Sequence, residues 1–73
     1  MEIKEKLALL EEEVLDMAAG ELKPETALED IDTWDSMAAL SLIVLMEDKF
    51  SKKLTRDNLR TFVTVQDILN FMG

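Results

Sequence analysis

The stretch TWDSMAALSLIVLMEDKF, residues 33–50, decides how the rest of this 73-residue chain is read. Ser36 stands where an acidic, aperiodic segment gives way to a run in which Met37, Ala38, Ala39, Leu40, Leu42, Ile43, Val44, Leu45 and Met46 are apolar and only Ser41 interrupts. Asp35 is a credible N-cap, because its carboxylate can accept bonds from amides left free in a first helical turn. The expected helix starts at Ser36 and runs to about Phe50 or Ser51. Such a helix is too apolar for an ordinary surface position. It is the central helix of a small bundle, or part of its apolar surface docks a partner, and both can hold together. Projected at about 100° per residue, Leu42, Leu45, Met46 and Phe50 fall on one side and form the expected core. Met37, Ser41, Val44 and Asp48 fall on another, the expected outer face. Extra packing against the preceding loop is the plainer explanation for apolar residues at Met37 and Val44.

Upstream, Ile3, Leu7, Leu10, Val14 and Met17 follow helical spacings on one stripe, while Glu5, Glu12, Glu13 and Asp16 fall elsewhere on the wheel. Gly20 is the expected stop of this first helix, since glycine takes the left-handed conformation at little cost. Residues 21–34 show no sustained period and read as a long ordered loop around the single Pro24. Thr26 with Glu29 is expected to cap a short turn, and Leu28, Ile31 and Trp34 to anchor the loop. A loop of this length in so short a chain is unusual and implies that it positions the segment after it.

Downstream, Leu54 is expected to tuck inward. Thr55 can cap a brief helix through Arg56, Asp57, Asn58, Leu59 and Arg60, too short to persist without tertiary contacts. Thr64 with Asp67 resembles a capping box, Val63 and Ile68 have the spacing of a hydrophobic staple, and Val65, Ile68, Leu69 and Met72 give the last helix an inward face. No run of alternating β-branched residues and no internal repeat is present. The expectation is an all-α domain over residues 1–73: a small antiparallel four-helix bundle, three main helices and one short one, with a long loop between the first and second.

Composition narrows the chemistry. The net charge is −8, and it is uneven: all but two of the 16 acidic residues precede Lys49, whereas five of the eight basic residues follow from there. The acidic part repels nucleic acid and attracts basic surfaces; the plainer view is that acidity keeps a small domain in solution. There is no cysteine and no histidine, which removes disulfides, thiolate metal sites, the commonest general base and the best protein nucleophile together. No signal peptide is read at the N-terminus, and no apolar run approaches the ~18 residues of a membrane span. A cytoplasmic monomer with no membrane span is expected. Asp30, Asp32 and Asp35 suggest a calcium loop, but counting from Asp30 the fifth, sixth and twelfth positions are Trp34, Asp35 and Ser41, where an EF-hand needs an oxygen ligand, glycine and glutamate. No metal site is expected. Ser36 as a nucleophile lacks both a histidine base and a glycine-flanked elbow, so no catalytic residue is expected. As an attachment point it is well suited, because a phosphate bonded there lies near free amides and the positive end of the helix dipole, a stabilisation of roughly 0.3–1 kcal/mol. By position alone, Ser36 is equally a good residue with which to start a helix.

The segment Trp34-Asp35-Ser36-Met37, the apolar helix behind it, Glu47-Asp48-Lys49-Phe50 and Thr64-Val65-Gln66-Asp67-Ile68 together resemble the acyl carrier protein family, in order and across essentially the whole chain. The resemblance implies a non-catalytic carrier. Its Ser36 would bear 4′-phosphopantetheine, installed from coenzyme A by a phosphopantetheinyl transferase, and acyl groups would ride on the arm as thioesters in fatty acid, lipid or specialised acyl biosynthesis. The partners implied are acyl or aminoacyl ligases and transferases with basic docking surfaces. Asp35, Met37, Ser41, Val44, Glu47 and Asp48 are the candidate docking residues; Leu42, Leu45, Met46, Ile68 and Leu69 are the candidates to line an acyl pocket.

Three departures mark this chain. Family members often have glycine where Trp34 stands and leucine where Met37 stands, and fatty-acid carriers have acidic residues where Ala38 and Ser41 stand. The middle of the second helix therefore loses charge, which implies partners other than the standard fatty-acid enzymes or a less electrostatic mode of docking. Two other readings stand beside this one: an aminoacyl carrier, for example for a D-alanyl group, charged by an adenylating ligase, and an unmodified helical interaction module.

Overall fold

The computed structural model describes residues 2–73 and is all-helical apart from its connections. Helix α1 (Ile3–Leu9) continues directly into a π-helical turn, Leu10–Val14; α2 spans Ser36–Phe50, α3 Arg56–Thr61 and α4 Val65–Met72. One 3-10 turn, Leu28–Asp30, lies in the loop. No strand forms among the described residues, only an isolated antiparallel bridge between Ala27 and Thr64. The four helices make the small bundle expected from the sequence, with a radius of gyration of 10.8 Å.

α2 packs against the π-helical turn, and the core is assembled from Leu10, Leu15, Leu42, Met46, Val65 and Ile68, with Leu22, Leu28, Leu54 and Met72 closing it. Leu42, Leu45 and Met46 are buried as expected, and Leu54 turns inward. Ala38 joins them, its small side chain letting α2 approach its neighbours, while Phe50 is only half-buried.

The first helix departs from its stripe. Ile3 is exposed, and the helix ends at Val14, well short of Gly20. The cause is the wide turn: the amide of Leu15 donates to the carbonyl of Leu10 at 2.8 Å, five residues back, so Leu15 takes the buried position that a continuous α-helix would have left to Val14. Asp16 then reverses the chain in the left-handed region (φ 51°), a conformation that aspartate tolerates better than most residues. Gly20 is left-handed as well (φ 87°), but within the loop.

Hydrogen bonds at two places tie the loop down. The Glu11 carboxylate, almost fully buried, accepts the Leu22 amide at 2.9 Å and draws the returning chain onto α1. Farther along, the Val65 and Gln66 amides donate to the carbonyls of Thr26 (3.0 Å) and Pro24 (2.8 Å), and the Leu28 amide donates to the Val63 carbonyl at 2.9 Å. Thr26 does not cap a turn with Glu29; its hydroxyl accepts from the Lys23 amide at 3.3 Å, and the 3-10 turn follows Ala27 with no side-chain cap. Leu28 and Ile31 are buried anchors and Trp34 a partly buried one, as expected.

Helices α3 and α4 are capped as their sequences indicate. Thr55 and Asn58 form a capping box, and so do Thr64 and Asp67. The hydrophobic staple does not form: Val63 is exposed, because its backbone is committed to pairing with the loop. At the other end of α4, two lysines reach in. Lys6 Nζ donates to the Gly73 carbonyl (2.9 Å) and Lys52 Nζ to the Phe71 carbonyl (2.8 Å), the latter also lying 5.8 Å from the centre of the Phe71 ring. Last-turn carbonyls lack intrahelical donors and sit at the negative end of the dipole, so both cations are well placed.

Two measurements follow from this packing. Leu42→Ala is expected to cost about 2–5 kcal/mol in urea unfolding, the range for a buried leucine truncation, whereas Val44→Ala on the exposed face stays within about 0.5 kcal/mol. The Asp67 carboxylate accepts the amides of Val63 (2.8 Å) and Thr64 (3.1 Å), which hold its carboxyl below the usual carboxylate range. A folded-state pKa below the unfolded value means that this stabilisation is present above about pH 4 and is lost as the pH falls through the folded pKa. Thermal unfolding of wild type and Asp67→Asn between neutral and acid pH should show a gap that closes as the pH drops.

Candidate functional site

Helix α2 begins because Asp35 stops extended backbone (φ −139°, ψ −169°) and turns its carboxylate onto the amide of Ala38 at 2.9 Å. The Asp35 carbonyl accepts the Ala39 amide at 2.9 Å, which closes the first turn. Ser36 is the first residue of that turn and is exposed. The chain has two other serines: Ser41, partly buried in the middle of α2, and Ser51, at the C-cap of α2 beside the negative end of the dipole. Ser36 alone combines exposure with a helix N-terminus, the position that favours an attached anion.

Two open grooves flank α2. On the α1 side, Met37, Leu40, Ser41, Val44 and Asp48 line a groove whose opposite rim carries Glu13. Met37 and Val44 are 72% and 65% exposed, so neither is spent on packing against the loop. The structure thus brings together four of the six candidate docking residues, Met37, Ser41, Val44 and Asp48. Asp35 stands at the N-terminal end of the same helix, and Glu47 lies apart, beside Ser51, Lys52 and Lys53. On the other side, Ser36, Ala39, Leu40 and Ile43 face Arg56, Leu59 and Arg60 of α3 across a second groove. Leu40, half exposed, forms the ridge between the two. Sequence reasoning passed over Leu40 although it lies one turn from Ser36, and passed over Arg56 and Arg60, whose approach depends on how α3 packs.

The acyl-pocket candidates have a different setting. Leu42, Leu45, Met46, Ile68 and Leu69 are all buried in the closed core, with Leu45 at the edge of the α1-side groove. The acidic residues Asp30, Asp32 and Asp35 are exposed, and the described residues contain no group of three or more His, Cys, Asp or Glu side chains arranged to hold a metal ion.

With this geometry, residues 5–72 match the family described as phosphopantetheine attachment site. Similar curated proteins are the acyl carrier protein of Thermobifida fusca (strain YX), 32% identical over 71 residues that cover 97% of this chain and 90% of that one, and the acyl carrier protein of Nitratidesulfovibrio vulgaris (strain DSM 19637 / Miyazaki F), 30% identical over 73 residues that cover 99% and 95%. The chain belongs to the acyl carrier protein family. Its prosthetic group is therefore 4′-phosphopantetheine, and its class is that of carriers rather than catalysts. The acyl carrier protein of Myxococcus xanthus, 31% identical over 97% of this chain and 90% of its own length, is a further relative. No solved structure matches. No helix among the described residues is long and apolar enough to cross a membrane.

Removing the cap tests how firmly the site is mounted. Asp35→Ala is expected to lower stability by about 0.5–2 kcal/mol, the usual cost of losing an N-cap side chain. In hydrogen exchange, the increase in rate should be centred on the Ala38 amide that Asp35 now holds.

Proposed function

We propose that residues 1–73 form a carrier domain in which Ser36 bears the 4′-phosphopantetheine arm and that the domain ferries acyl groups between enzymes of fatty acid, lipid or specialised acyl biosynthesis. The observation that carries the assignment is that Ser36 is the one exposed serine at the start of a helix in a chain matched along residues 5–72 to the phosphopantetheine attachment family. When bound, the arm supplies the thiol that this cysteine-free chain lacks, on which an acyl group is held as a thioester.

The chain's own residues do the mounting. Ser36 contributes the hydroxyl oxygen that joins the arm's phosphorus, with the nucleotide half of coenzyme A departing. The hydroxyl proton needs a base from the transferase, since the chain has no histidine. Asp35 holds the turn on which Ser36 stands, and the α2 amides face the attached anion. Met37, Ser41, Val44 and Asp48 form the docking face, with an apolar strip and an anionic end suited to a partner that offers apolar contact and a basic rim. Asp35 supplies a second anion at the Ser36 end, and Glu47 serves at the margin. Because Leu42, Leu45, Met46, Ile68 and Leu69 are closed in the core, sheltering an acyl chain among them requires the helices to part.

Incubation with coenzyme A and a phosphopantetheinyl transferase should raise the intact mass by one phosphopantetheine. Ser36→Ala should abolish the gain. A gain that persists in Ser36→Ala defeats the assignment, and no gain in the wild type defeats the carrier reading in favour of an unmodified interaction module. Charging the modified protein with fatty acyl and with amino acyl ligases then decides the cargo; exclusive aminoacylation would replace the acyl carrier by an aminoacyl carrier.

A further inference from the structure

The groove that opens at Ser36 has a charge that the rest of this half of the molecule does not prepare for. Through Asp48 the chain is strongly acidic, yet the wall that faces Ser36, Leu40 and Ile43 is supplied by α3 with Arg56 and Arg60. Local energetics account for these two cations only in part. Arg60 lies in the last turn of α3, where the helix dipole favours a cation, and it makes an ion pair with Asp57 at 3.6 Å. Both partners of that pair are well exposed, so it adds little. Arg56 lies in the first turn of α3, where the dipole disfavours a positive charge, and it enters no ion pair or side-chain hydrogen bond among the described residues. Its position is unrewarded by the helix that holds it. Its surroundings fit an anion instead: an apolar lining of Ala39, Ile43 and Leu59 lowers competition from water, and the guanidinium fork suits phosphate oxygens.

The geometry points to Arg56 and Arg60 as a clamp for the phosphodiester carried on Ser36, holding the arm over the α2–α3 groove. This rests on the assignment of Ser36 as the attachment site. An anion bonded to Ser36 enters the groove at the end where that residue lines it, and it sits beside Asp35, which repels it. The free amides of α2 and the two guanidinium groups oppose that repulsion from separate elements, so the clamp turns a mobile tether into one biased towards α3. An acyl group bearing its own carboxylate offers the arginines a similar anion, and the experiment must tell the two sources apart.

The holo protein carries a single phosphodiester, which makes phosphorus NMR a direct readout. The resonance is expected to shift between Arg56→Gln/Arg60→Gln and wild type at low ionic strength, and added salt should move the wild-type line towards that of the double variant. Lys53→Gln, which removes one positive charge beside Glu47 and Ser51 and outside the Ser36 groove, should leave the line where wild type has it. Relaxation of an isotopically labelled arm should report faster motion in the double variant only. Both arginines are exposed, so the variants remain folded, which circular dichroism checks. Lines that coincide in wild type, double variant and Lys53→Gln overturn the clamp while leaving Ser36 modified. Absence of any phosphorus signal after transferase treatment overturns the attachment reading itself. With the arm loaded in turn with a neutral acyl group and a carboxylate-bearing one, arginine side-chain resonances should be perturbed in both, relative to the apo protein. Perturbation by the carboxylate-bearing group alone assigns the arginines to cargo and overturns the proposal.

Discussion

The start of α4 depends on a loop that is distant in sequence. A helix leaves its first amides without partners, and here those of Val65 and Gln66 are satisfied by the Thr26 and Pro24 carbonyls, with the Leu28 amide returning a bond to Val63. The short stretch of antiparallel pairing around Ala27 and Thr64 therefore serves two elements at once. It completes α4, and it fixes the loop whose far end delivers Asp35 and Ser36. Leu28 and Ile31, buried beneath it, make the pairing hard to open without disturbing the core. A loop that merely connected two helices would not need to be held so closely.

The consequence for the carrier site is positional. Asp35 is presented at the end of a loop anchored at several points, and α2 begins there because the carboxylate supplies the missing acceptor. From that start, the phase of α2 is settled by Ala38, Leu42, Leu45 and Met46 facing inward. Ser36 then has no choice of direction. Two exposed surfaces remain on the same helix, one apolar with anionic margins beside α1, one facing the arginines of α3, and Leu40 separates them. Partner recognition and handling of the arm are in this way assigned to different sides of one element.

What could be read from the residues follows the range of the interactions. Helix α2, the brief α3 and the start of α4 announce themselves because Asp35, Thr55 with Asn58, and Thr64 with Asp67 satisfy amides within a single turn. The end of α1 could not be read this way. Its wide turn is coupled to the burial of Glu11, which bonds to a residue eleven positions later, and no local pattern announces that bond. The same holds for Lys6, whose ammonium bonds to a carbonyl 67 positions away. Val63 looked like half of a staple because its spacing is right, but pairing of its carbonyl with the loop turned the side chain's setting outward. At the site, the exposed helix start was legible in Asp35-Ser36, whereas its meaning rested on likeness to a family. The arginine wall opposite was not legible at all, since it is created by the approach of α3.

The π-helical turn at Leu10–Val14 has an effect on how this molecule lines up with others. One wide turn absorbs an additional residue without leaving the helix, so everything after it is rotated relative to everything before. Between two chains that share the bundle, a one-residue difference in length at this point need not be a difference in any loop. It can be taken up within the first helix as a change of rotational phase, with Leu15 and the Glu11 tether keeping their places while exposed Ile3 swings about the axis. The constraints on the first helix then divide in two: its last turn is held where α2 leans on it, and its N-terminal turns are held by the reach of Lys6 to Gly73.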